Sequence, residues 1–436
     1  MSWLKGRRRV AVGLAGALSG SLIVVGCSAT SGGSAAQQSG GPQSITVGIE
    51  AGSPQGTYYQ KAGAEFTKQT GIQVNFLAVP HDSMHQKFLT DGLSGAGTYD
   101  VFTVDEGWMP EFASKGYLSK LDNVLSASDK SDFATNTLAT GTYKGNLYSV
   151  PYLVHNPVLY YRTDLFNKAG ISSPPKTWEE FRTDAKKLTD AEAGVYGTVI
   201  EGKQDAETFT HLVSRVQQSG GNIAAADGSP TFDSPAVKKA LEFMQAVQLT
   251  DKSSPSGLND LTTAQGEFLG GHVGMVLIWP YLYSLAKDPS QSKIAGKFAV
   301  ALPPGNPDQV STTFSWAFGV NAVSKHQAAA QEFVKWATGK QMLTTLSKEQ
   351  ALPVPRKSAI AAFTTDQSVT APDRAALQVF SDSVSRSTTI PLVPAFAQYT
   401  TPMAVALSSV MSQSQSIDAA MKQAQQSMQA AFDSSK

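Results

Sequence analysis

The period of hydrophobic positions switches back and forth along the first hundred residues. Residues 45–49 (ITVGI) form a short apolar run of the buried-strand type. After turn residues 53–56, Tyr58, Tyr59, Ala62 and Phe66 recur at helical spacing until Gly71, which predicts a helix stopped by glycine. Residues 72–79 alternate as a second strand, 84–93 read as a helix, and 99–104 as a third strand whose end delivers Asp105, Glu106 and Trp108 into a loop. Strand–helix alternation of this kind predicts an α/β fold with ligands beyond the carboxyl ends of the strands.

Further along, the apolar run 150–161 is interrupted by Pro151 and Pro157, which deny donors to a central ladder and predict an extended passage between two bodies. Pro174 and Pro175 end that passage. Thr177 and Glu180 then have capping-box spacing, and Trp178, Phe181, Ala185 and Leu188 make one helical stripe. Residues 196–200 read as a strand, 209–218 and 235–247 as helices, and 273–278 as a strand running out into Trp279-Pro280-Tyr281. In 312–320, taken as one strand, Phe314 and Trp316 share a side. Helices follow at 325–338, through 379, at 401–410 and at 417–432, separated by the proline-extended segment 351–357 in which Arg356 follows Pro353 and Pro355.

Composition sharpens this outline. A chain of 436 residues exceeds what one core usually supports, which predicts two or three domains. Hydrophobic residues make up 41% and charged residues 16%, a foldable composition with a neutral-polar surface. Residues 5–9 hold Lys5, Arg7, Arg8 and Arg9, residues 10–25 are apolar, and Val24-Val25-Gly26 precedes Cys27, the chain's one cysteine. The pattern predicts a secretory leader over 1–26 rather than a membrane span, followed by a Gly/Ser/Ala-rich tether over 27–44. Without the leader, 31 basic residues face 35 acidic ones, a net of −4, which gives no footing to nucleic acid.

Several segments together resemble family 1 of the extracellular solute-binding proteins of ABC importers. VVGC resembles a lipobox, implying lipidation of Cys27 and anchorage at the membrane. YDVFTVDEGWMPEFASKGYLSKLD resembles the segment in which a strand ends in an acidic residue and an aromatic. PPKTWEEF, GEFLGGHVGMVLIW, FAVALPP, TTFSWAFGV and ALPVPRK resemble later signatures. The resemblance implies a periplasmic-binding-protein-like fold of two α/β lobes joined by three passages, with the ligand cleft between them. Lobe one is expected at 45–150 and 303–350, and lobe two at 151–302 and 351–436. It also implies ligand contacts from Glu106, Trp108 and Asp105 in lobe one and from His155, Trp279, Tyr281 and Tyr399 in lobe two. Phe314, Trp316 and Arg356 are added as candidates, Arg356 either forking onto sugar hydroxyls or closing a salt bridge. A carboxylate accepts two hydroxyl hydrogen bonds, and an indole or phenol face buries the C–H face of a pyranose. The expected ligand is a neutral carbohydrate, a di- or oligosaccharide ahead of a polyol, delivered to a permease by a monomer.

No enzymatic constellation accompanies these residues. His81 and His85, four apart, do not close a metal site, and no cofactor motif, G-x-S-x-G elbow or phosphate loop is present. Asp105 and Glu106, adjacent in sequence, diverge and fit poorly as the facing pair of a glycosidase, which stays a minor alternative beside a binder of another solute such as a peptide, polyol or compatible solute.

Overall fold

Twelve strands and the helices between them build two cores in a computed structural model, which describes residues 43–205, 207–306 and 308–435. The expected leader, Cys27 and nearly all of the tether lie outside the described residues. In chain order the strands are β1 (Ser44–Glu50), β2 (Gln73–Val79), β3 (Val101–Asp105), β4 (Thr142–Tyr143), β5 (Asn146–Leu147), β6 (Ser149–Val154), β7 (Val158–Arg162), β8 (Met275–Ile278), β9 (Phe298–Ala301), β10 (Ser311–Thr313), β11 (Ser315–Val320) and β12 (Ser387–Thr389).

Lobe one is a five-stranded sheet in the order β2-β1-β3-β11-β6, parallel among its first three strands and antiparallel at β11 and β6. Gly71, at φ 75°, ends the Pro54–Thr70 helix in the left-handed conformation that glycine adopts without strain. Pro151 sits in β6, the edge of this sheet, where a missing donor costs no ladder bond. Lobe two has a smaller antiparallel sheet, β8-β7-β9, wrapped by helices. There the capping box forms as the sequence predicts: the Glu180 N–H donates to the Thr177 hydroxyl and the Thr177 N–H to the Glu180 carboxylate, opening the Trp178–Leu188 helix.

Each lobe buries its own hydrophobic set. Val47, Phe66, Phe102, Phe318 and Phe333 belong to the first core, and Tyr160, Phe181, Leu241, Phe268 and Met428 to the second. The first crossing between them is the three residues His155, Asn156 and Pro157 that separate β6 from β7. It lies later than expected, since 151–154 complete the sheet of lobe one.

The segment 312–320 is two strands rather than one. β10 pairs in parallel with β12, β11 joins the lobe-one sheet, and Phe314 between them belongs to the second core while Trp316 belongs to the first. Strand alternation therefore does not carry across Phe314. The segment 351–357 was expected to cross into lobe two, but it is held to lobe one by bonds from the Val154 N–H to the Pro353 carbonyl and from the Ala134 N–H to the Pro355 carbonyl. Leu352, Val354 and Ala359 lie in the first core and Phe363 in the second, so that crossing comes at the Lys357–Thr365 helix. Residues 196–200 make isolated bridges at their borders, Tyr196 with Val273 and Glu201 with Asn259, instead of a strand.

Candidate functional site

The carboxyl ends of β1 and β3 open onto a cavity of about 490 Å³ between the lobes. Lobe one contributes Glu50 and Asp105 from those strand ends, Gln55 from the first turn of the Pro54–Thr70 helix, and His81 and His85 from the His81–Ser94 helix. Lobe two contributes Glu207, Phe209, Gln265, Trp279, Tyr281 and Phe396. Among the described residues that line the cavity there is no Lys or Arg.

The walls are aromatic and hold one another edge-on. Trp108 and Trp316 have ring centroids 5.7 Å apart at 80°, and Trp279 meets Phe314 at 5.2 Å and 83°. His155, from the first crossing, lies 5.1 Å from the Trp279 ring and 6.1 Å from Trp316, tying the two sides together. Its N–H donates to the Phe314 carbonyl, and burial pulls its imidazole down to about 3, so it serves as a neutral ring. Gly107 allows the lobes to meet closely, since a Cβ there would lie 2.9 Å from the Phe396 ring.

Polar groups are anchored within these walls. The Gln55 amide donates to Glu50 at 2.9 Å, the Gly107 N–H to Asp105 at 2.8 Å, and the Tyr281 hydroxyl to Gln265 at 2.9 Å. Burial pushes Glu50 up to about 7 and Asp105 to about 6, and it raises Glu207 well above the usual carboxylate range, with Asp105 and Glu50 adding repulsion. Such a cavity offers acceptors for hydroxyl hydrogens and flat apolar faces, and it disfavours anions. Among the described residues no group of three His, Cys, Asp or Glu could hold a metal, and no helix is long and apolar enough to cross a membrane.

The family model of the bacterial extracellular solute-binding proteins matches residues 51–343. The chain belongs to that family. An ABC transporter-binding protein of Deinococcus radiodurans is 30% identical over 346 residues, 76% of this chain and 80% of the relative. The diacetylchitobiose binding protein of Streptomyces coelicolor is 26% identical, with 90% of each chain covered. An ABC transporter solute binding protein of Agrobacterium radiobacter, solved with ribitol, superposes with a TM-score of 0.79 at 26% identity, over 89% of this chain and 98% of that one.

Within this solute-binding protein, seven of the ten ligand-facing residues expected from the sequence border the cavity: Asp105, Trp108, His155, Trp279, Tyr281, Phe314 and Trp316. Three do not. Glu106, 2% exposed, turns inward and accepts the Ser315 N–H on Oε2, leaving Oε1 buried without a partner. Arg356 is 2% exposed, lies over the Phe133 ring, and donates to the Thr338 carbonyl, Asp129 and Asp132, so of its two expected roles it takes the salt bridge. Tyr399 is wholly buried with its hydroxyl on the Gly228 carbonyl, a core residue. Glu50, His81 and Glu207 were missed. Glu50 ends β1 as Asp105 ends β3, so the strand-end rule points to it, whereas no local pattern singles out Glu207.

Proposed function

We propose that this chain is the ligand-capturing component of an ABC importer, tethered to the membrane through a lipidated Cys27, and that it holds a neutral carbohydrate or polyol and hands it to the permease as a monomer. The observation that carries the ligand class is the lining of the cavity: three tryptophans with acceptor carboxylates and no Lys or Arg among the described lining residues. Aromatic faces suit the C–H face of a sugar ring, Glu50 and Asp105 suit its hydroxyls, and a phosphate or uronate would meet no counter-charge. The relatives that bind diacetylchitobiose and ribitol support a polyhydroxy ligand and bracket its size. Lobe closure follows from the two-sided lining, because a ligand that touches both lobes stabilises the form in which they are together.

A thermal-shift panel of neutral di- and oligosaccharides, polyols, sugar phosphates, amino acids and peptides tests this reading. A neutral polyhydroxy compound should raise the melting midpoint in a concentration-dependent way. Stabilisation by anionic sugars or peptides alone would sink it. For the anchor, the mass of membrane-extracted protein should exceed that of residues 27–436 by acyl chains, and an unmodified chain released into the medium would count against it.

A further inference from the structure

One ion pair crosses the cleft. His81, first residue of the His81–Ser94 helix in lobe one, places Nδ1 3.2 Å from Oε1 of Glu207, which leads into the Thr208–Gln218 helix of lobe two. Glu207 keeps 26% of its side-chain surface, and that surface borders a cavity walled by both lobes instead of open water. Facing the pair are Glu50 from β1, Asp105 from β3, Asp82 beside His81, Glu201 and Asp205 from lobe two, and the neutral His155 from the first crossing. The cation at this mouth, Lys203, is bonded to Asp260 at 2.7 Å. Bringing the lobes together therefore moves Glu207 up to two carboxylates of the opposite lobe with His81 as its direct partner. Like charges gathered in a poorly hydrated space do not all stay ionised.

We propose that His81 and Glu207 form a latch between the lobes that closes with uptake of one proton, so that the closed form is favoured as pH falls from alkaline to neutral. The inference rests on the lobe-closure reading above. With the lobes apart in mildly alkaline solution, Glu207 is ionised and His81 neutral, and the pair holds no proton. Closed, it holds one, shared between imidazole and carboxylate. The closed form thus binds one more proton, and closure weakens tenfold for each unit of pH increase. Below about 6.5, the ordinary histidine value, the open pair has gained its proton too and the advantage levels off. The raised carboxyls of Glu207 and Glu50 are consistent with this sign.

Small-angle scattering of the ligand-free protein at pH 6.5 and 8.5 reads the latch without any ligand. The wild type should be more compact at pH 6.5. Glu207→Gln, whose amide stands in for a protonated carboxyl, should lose the pH dependence and keep the compact dimensions at pH 8.5. Calorimetry with ribitol and with diacetylchitobiose, in buffers of different ionisation enthalpy, should show uptake of close to one proton at pH 7.5 and a Kd rising up to tenfold per pH unit. Dimensions that ignore pH in the wild type, or a pH response that survives in Glu207→Gln, would overturn the proposal. If that variant does not fold, as judged by circular dichroism, His81→Gln carries the same comparison. Should neither probe bind while compaction still follows pH, the ligand assignment fails and the latch stands.

Discussion

The end of β3 in lobe one and the approach to the Thr208–Gln218 helix in lobe two each set a glutamate against a partner far away in the chain, with opposite meanings. Glu106 is 2% exposed and takes the Ser315 N–H of its own lobe, a bond indifferent to whether the cleft is open. Glu207 keeps 26% of its side-chain surface and its partner, His81, belongs to the other lobe. Both carboxyls are pushed well up by burial, so a perturbed acid by itself does not distinguish a strut from a cleft group. The lobe that supplies the partner does.

The strongest way to break this division between fold and cleft lies at the wall. Trp279→Ala should weaken binding of a neutral sugar or polyol by about 2–4 kcal/mol in calorimetry, the range of a central aromatic anchor. Wild-type affinity in that variant would remove Trp279 from the ligand's surroundings. Asp105→Ala should follow at about 1.5–3 kcal/mol of affinity, as expected for a hydrogen bond to a charged acceptor, with a smaller change in melting midpoint. Glu106→Ala inverts the pattern. It strands a buried N–H at Ser315 and should cost about 1–3 kcal/mol in denaturant unfolding, more than it costs in affinity. An affinity loss larger than the stability loss would return Glu106 to the site. Arg356→Met should leave affinity within about 0.5 kcal/mol of wild type while lowering the unfolding midpoint, because its bonds lie away from the cavity.

Much of the fold was legible because its signals are local. The Thr177–Glu180 box, the glycine stop at Gly71 and the stripes of the long helices are decided within a few residues. The wall was legible for a related reason, since Trp279 and Trp108 stand just past strand ends. What escaped depends on contacts made at long range. Choosing Glu106 over Asp105 missed by one residue, and one residue at a strand end exchanges the cavity for the interior. Residues 312–320 look continuous in their alternation, yet pairing with β12 on one side of Phe314 and with β6 on the other divides them. Arg356 left two roles open until Asp129 and Asp132 came into reach. Glu207 acquires its part when the opposite lobe arrives.

The pairing of β11 with β6 slips between Trp316 and Ala317, where Leu153 and Pro151 are the successive partners and Tyr152 has none. Tyr152 stacks on Phe318 with centroids 4.4 Å apart, so the extra residue is wedged into the first core. Neighbouring positions on a strand face opposite sides, and losing this one residue would reverse the facing of Leu153, Val154 and the crossing that follows. His155 would then turn away from Trp279. Insertions and deletions in this passage are thus compatible with an intact binding wall only in pairs, and a lineage that shortens it has to remove two residues together or rebuild the wall from other side chains.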